Sequence, residues 1–411
     1  MQAVGIPLAL TTMVLLAGCG SASSDVVSTR SVRPPSQVAH AAAGSAGDLL
    51  TPVVASVTNS PHPVVATDGK VHLAYELLLT NVISSDTTIT SIVARSHGKS
   101  FQSLAGDDLK GVFKIFGNPA GNTVLGAGQE AIVWMDVVVG SYAAVPESLT
   151  HFVEIAVAKP QLPLIPRTLT ETVASLKIEN VKPIVIGSPL RGKSWLDGNS
   201  CCAVTPHRAA VNPINGKLWV PERFAIDFVQ LDAQGKMFTG DVTDIKSYAY
   251  FGANIHAVAD GKIVAMVSDQ PEQPPGANPV GLLIDQYGGN YVIQDIGHGH
   301  FAFYAHLQPD NPMKLKVGKR LERGQVLGLL GSTGNSDSPH LHFHIMDSPD
   351  PLASNGLPFA IDSFRYDGTV VSDQNLNDGA TKGVPFDIDT DGAGRRAKTS
   401  PLYRNVMSYP R

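Results

Sequence analysis

Between positions 338 and 345 the chain alternates strictly, placing His340, His342 and His344 on one side of a predicted strand and Leu341, Phe343 and Ile345 on the other. The same two-residue period runs through Val71-His72-Leu73-Ala74-Tyr75-Glu76-Leu77. Short runs rich in Val, Ile, Thr and Leu recur at 52–57, 72–80, 87–95, 131–139 and 151–157, separated by turn residues such as Asp68-Gly69, Asn118-Pro119 and Gly126-Ala127-Gly128. That spacing predicts an antiparallel β-sandwich over 50–186. Further on, Arg223-Phe224-Ala225-Ile226-Asp227-Phe228 predicts a strand with an aspartate among apolar neighbours. A carboxylate there costs several kcal/mol unless it is paired or bound to a cation. Residues 289–307 read as a hairpin whose tip is Gly297-His298-Gly299-His300, a solvent-facing position for both histidines, and the glycine-rich stretch 317–335 runs directly into the histidine strand.

One apolar run breaks the alternation. Residues 3–16 are too short to span a membrane as a helix and end in Leu16-Ala17-Gly18-Cys19, which predicts a secretory signal over 1–19. Leu-Ala-Gly-Cys resembles the bacterial lipobox, which implies acyl chains on Cys19, a membrane anchor and an extracytoplasmic location in a bacterial envelope. No Lys or Arg precedes the run, a departure from the usual signal; a plain secretory signal cleaved nearby is the other reading. Residues 20–49, rich in Ser, Ala and Pro, predict a flexible tether. A polar, glycine-rich linker over 187–202 leads to a second domain at 203–366, and 367–411 reads as a polar, solvated C-terminal tail.

Composition narrows the class. A chain of 411 residues suggests two domains, and 39 Gly, 29 Pro and only 16 % charged residues favour strands and turns over solvated helices. The net charge of −5 and the lack of a basic patch exclude nucleic acid as a partner. Three cysteines cannot build a disulfide framework; the adjacent Cys201 and Cys202 are a strained pair or, as we expect, free thiols.

Three of the 13 histidines in register suggest a metal site, because neutral imidazole is the commonest metal ligand. Tyr304-Ala305-His306-Leu307, then Gly324-Gln325-Val326-Leu327-Gly328 with Gly331-Ser332-Thr333-Gly334-Asn335-Ser336, then Pro339-His340-Leu341-His342-Phe343, resemble the lysostaphin-type (LytM-like) zinc metallopeptidases. The resemblance implies a duplicated-hybrid-motif antiparallel sheet at 203–366; with the sandwich read from strand spacing at 50–186, which resembles the immunoglobulin-like fold, the chain is expected to be all-β. It also implies zinc as cofactor and the peptide cross-links of bacterial peptidoglycan as substrate. By the same resemblance His342 and Asp227 are zinc ligands, and His306 and His340 flank the reacting water and carbonyl. His344 stands where the family commonly has a glutamate.

The family's first ligand is a histidine four residues before the aspartate, and Arg223 occupies that position. A guanidinium cannot bind a cation. Either His207 reaches in from upstream to restore a third ligand, or the site is degenerate and the chain is a wall-binding protein or a regulator of other wall hydrolases, with envelope proteins as partners. Loops at 271–279 and 240–247 are expected to wall the substrate cleft.

Overall fold

The alternating segments of the first region pair as their period requires. In the computed structural model, which describes residues 50–410 apart from 119, 120, 180, 277 and 311, Val53–Val57, Val71–Asn81, Glu130–Val139 and Phe113–Ile115 lie side by side in that order. A second sheet runs Thr168–Lys177, Ser148–Val157, Thr87–Ser96, Lys99–Ala105. Every pairing in both is antiparallel. Their inward residues, among them Leu73, Tyr75, Leu77 and Met135 from one sheet and Ile92, Val153 and Ile155 from the other, form one core. The other face of Val71–Asn81 is buried as well: Ala74 joins the core of the second region and Glu76 has no exposed surface. Strand accounts for 46 % of the structure and helix for 8 %, so the chain is all-β.

The second region is built on one long sheet. Its order is Ile184–Ile186, Phe359–Val370, Asn405–Tyr409, Gly192–Gly198, Ile226–Gln230, Leu341–Met346, Phe301–Leu307, Asn290–Asp295, Gly261–Val267, Arg320–Leu321. The first pair is parallel and the remaining neighbours are antiparallel. Asn254–His256 and Val326–Leu329 pair separately beside it.

Two expectations are corrected here. The stretch 187–202 is not a linker throughout: Gly192–Gly198 is an interior strand, hydrogen-bonded to Ile226–Gln230 on one side and Asn405–Tyr409 on the other, with Trp195, Leu196 and Asp197 buried. Nor is 367–411 a solvated tail. It contains the helix Asp373–Lys382, the strand Gly394–Thr399 and the strand Asn405–Tyr409, whose Val406, Met407 and Tyr409 are core residues. Its polar stretches are turns between short strands, and a five-residue strand after them carries too few periods to stand out. The 1–19 signal, Cys19 and the 20–49 tether lie outside the described residues. Among the described residues no helix is long and apolar enough to cross a membrane.

Candidate metal centre

Sheet register sets the centre of the site. Asp227 lies directly opposite His342 on the neighbouring strand, and His342 in turn lies opposite Ala305. Alternation then aligns His340, His342 and His344 on one face, while Leu341, Phe343 and Ile345 are wholly buried on the other. By the same parity His306 should point to the core. An extra residue in the pairing between Tyr304/Val292 and Leu307/Asn290 forms a bulge, and His306 adopts φ 63°, which returns its ring to the histidine face.

Polar contacts tie these rings together. His342 Nδ1 is 3.0 Å from Asp227 Oδ1, and its Nε2 shares a 2.9 Å hydrogen bond with His344 Nδ1. His306 Nδ1 donates to the Thr333 carbonyl at 2.7 Å, which leaves Nε2 free of that bond. His340 Nδ1 donates to the Ser338 carbonyl at 2.8 Å, and its Nε2 lies 3.4 Å from Asp227 Oδ1. The His306 and His340 ring centres are 4.6 Å apart. Asn199, which no motif singles out, donates its amide to Asp227 Oδ2 at 2.9 Å.

His207 closes the group. It sits on the single-turn helix Pro206–Ala209, capped by the Thr205 side chain with Pro206 at its first position. Its Nδ1 donates to the Ala225 carbonyl at 3.2 Å, and its Nε2 lies 3.2 Å from Asp227 Oδ2. Arg223 takes no part in this group. Its guanidinium donates to Glu76 of the first region from Nε at 3.0 Å and also from Nη2, and to Asn59, Thr58 and the Gly356 carbonyl. Cys201 and Cys202, six and five residues before His207, are joined as a disulfide rather than left as thiols.

Ligand atoms of His207, Asp227 and His342 lie within 4.8 Å of one another; so do those of His306, His340 and His342. The first set fits zinc by its chemistry, two imidazole nitrogens and a carboxylate oxygen, with the other nitrogen of His207 fixed by a backbone carbonyl. Burial opposes charge on His207, yet the Asp227 carboxylate outweighs it and raises the imidazole to about 9. For Asp227 burial again works against charge, and His207 and His340 hold the carboxyl well below its ordinary range. Burial, then the neighbouring His340 and His342, push His306 well below the ordinary histidine value, which favours the neutral imidazole. His344 is lowered too, by burial and then His342, and its buried Nε2 has no partner among the described residues.

A cleft of about 790 Å³ opens over this face. Its walls come from 206–214, 284–291 and 349–352, with Asn278 alone from the 271–279 loop and nothing from 240–247 among the described residues. The expectation for those two loops is therefore largely corrected: the single-turn helix and the following strand Asn212–Ile214, paired with Lys217–Trp219 behind it, supply one wall. His298 is exposed at its hairpin tip and His300 half-buried, both outside the cluster.

Residues 242–354 match the model of Peptidase family M23, a stretch that contains His306, His340 and His342 and begins after His207 and Asp227. The glycyl-glycine endopeptidase ALE-1 of Staphylococcus capitis is 34 % identical over 128 residues, 31 % of this chain and 30 % of that one. The peptidoglycan DD-endopeptidase ShyA of Vibrio cholerae is 38 % identical over 66 residues, 16 % of this chain and 15 % of that one. The catalytic domain of lysostaphin from Staphylococcus simulans aligns at 23 % identity over 40 % of this chain and 84 % of its own, with a TM-score of 0.21. The chain thus carries an M23 peptidase region with lysostaphin-like homologues, and it spans less than a third of the length of these curated relatives.

Proposed function

We propose that this chain is a zinc-dependent endopeptidase that hydrolyses peptide cross-links of bacterial peptidoglycan outside the cytoplasm, carried on acyl chains at Cys19. The observation that supports it most is His207 Nε2 at 3.2 Å from Asp227, beside His342, with Arg223 engaged elsewhere. His207, Asp227 and His342 would hold the ion. Bound zinc would supply a Lewis acid and an activated water nucleophile. The protein's own part lies with two imidazoles. His306, whose Nδ1 carries the hydrogen, accepts a proton at Nε2, and His340, its ring centre 4.6 Å from that of His306, would donate from Nε2 to the developing oxyanion as an imidazolium, since its Nδ1 also carries a hydrogen. Bonds from Nδ1 to the Thr333 and Ser338 carbonyls hold both rings.

The degenerate, wall-binding alternative rested on Arg223, whose guanidinium is spent on Glu76. The test is zinc content and cell-wall hydrolysis of the purified chain beside His342→Ala. We expect about one zinc per chain and hydrolysis lost in the variant. Equal hydrolysis by the variant, or a wild-type chain that takes up no zinc when zinc is supplied, overturns the reading.

A further inference from the structure

We infer that the first β-sandwich is a working part of the metal centre: through Arg208, Glu76 and Trp134 it positions the helix that presents His207. This rests on the zinc reading above and deepens it. His207 and Arg208 are consecutive residues on one turn of helix. His207 faces Asp227, and Arg208 faces the other way, into the sandwich.

The Arg208 side chain has no exposed surface, and nor does Glu76. Arg208 Nη2 donates to the carbonyls of Tyr75 at 3.3 Å and Met135 at 3.1 Å, one on each of two paired sandwich strands. Its Nη1 donates to the Cys202 carbonyl at 3.2 Å, and its Nε stands 3.6 Å from Glu76 Oε1. From the sandwich side, Trp134 Nε1 donates to the Arg208 backbone carbonyl at 2.8 Å. Glu76 also receives Arg223 and the Thr58 hydroxyl, so one buried carboxylate joins both arginines to the sandwich.

A helix of four residues has almost no stability of its own, because forming one turn fixes several dihedrals for a single hydrogen bond. Its place must be set from outside. The anchors present are the Thr205 cap, the His207 bond to Ala225, and the Arg208 and Trp134 contacts. Only the last two cross to the sandwich. A ligand histidine on such a support is held as well as its neighbours hold it, and loss of outer partners at metal sites weakens binding by about 10-fold to 100-fold. Arg223 belongs to the same arrangement. The residue that takes the place of a histidine in the resembling family secures the carboxylate that faces the helix bearing the replacement ligand. Arg208 is thus a positioning residue, with no contact to substrate or ion.

The experiment uses the full chain and the variants Arg208→Met and Trp134→Phe, with His207→Ala for reference. Three readouts are taken: amide exchange over 203–210 in metal-free protein, zinc affinity by chelator competition, and the visible spectrum of the cobalt(II)-loaded protein. The inference predicts faster exchange over 203–210, zinc bound at least about 10-fold more weakly, and a cobalt spectrum displaced towards that of His207→Ala. Folded variants with wild-type exchange, affinity and spectrum overturn it. Should Arg208→Met fail to fold, Trp134→Phe, which removes one donor and keeps the ring packing, decides by the same readouts. A wild-type chain that binds no zinc refutes the proposed function, and the exchange measurement then decides the positioning role alone.

Discussion

Asp227 and His342 face each other across adjacent interior strands, whereas His207 stands on a single helical turn held against a different region of the chain. The strand-borne pair cannot shift without breaking ladder bonds on both sides, since Ile226–Gln230 and Leu341–Met346 are each flanked by further strands. The helix-borne residue has no ladder. Its precision comes from a buried arginine whose donors reach two sandwich strands. One half of the centre is therefore positioned by secondary structure and the other by packing between regions, so the two halves should respond differently to substitution.

The largest effect expected concerns the histidines that the two overlapping triads do not share, His207 and His306. If the ion sits with His207, Asp227 and His342, then His306→Ala keeps its zinc and loses about 10²–10⁴-fold in kcat, the range for removal of a general acid or base. His207→Ala loses the zinc. Elemental analysis and steady-state hydrolysis of the two variants side by side decide the matter: zinc kept by His207→Ala and lost by His306→Ala would assign the ion to His306, His340 and His342 instead.

A smaller effect separates stability from ligation. Arg223→Met removes the main partner of the buried Glu76, leaving Thr58 and the more distant Arg208. Breaking a buried ion pair on one side costs about 3 kcal/mol, and unfolding in denaturant should show a loss of that order. Zinc stoichiometry at saturating zinc should be unchanged, because every Arg223 donor contact lies away from Asp227, and affinity should weaken no more than in Arg208→Met, because Arg223 acts only through Glu76. A variant of wild-type stability that has lost its zinc would place Arg223 in the metal site after all.

The same contrast explains what could be read in the sequence. Asp227, His340 and His342 announced themselves because a strand repeats every two residues and a buried aspartate among apolar neighbours demands a partner. His306 could be selected only by resemblance, since its face depends on a bulge and a left-handed backbone that alternation does not reveal. His207 had no periodic signal; it could be named as a histidine able to replace the one absent at Arg223, but its approach to Asp227 depends on a single helical turn that the pattern does not reveal. The strands Gly192–Gly198 and Asn405–Tyr409 were missed because each is short, follows polar turns and gains its burial from partners far away in the chain. Asn199 and the Thr333 and Ser338 carbonyls hold the site through contacts that no residue type encodes locally.

The smallest prediction probes the sandwich where it touches no ligand. Glu171, on Thr168–Lys177, is buried; one carboxylate oxygen accepts from the Val53 amide at 3.1 Å, and the other has no partner among the described residues. Burial, only partly offset by that bond, raises its carboxyl from the ordinary 4.5 to about 7. The folded chain therefore holds a proton on Glu171 that the unfolded chain has released, and stability falls as the pH rises between those two values. Glu171→Gln keeps the acceptor for Val53 and has no proton to lose. Its thermal midpoint relative to wild type should accordingly rise more at about pH 8 than at about pH 5, with zinc content unaffected at either. An offset independent of pH would mean that Glu171 is charged in the folded state across the range. A change in zinc content would mean instead that strain anywhere in the sandwich reaches His207, and the special position given to Arg208 and Trp134 would then be lost.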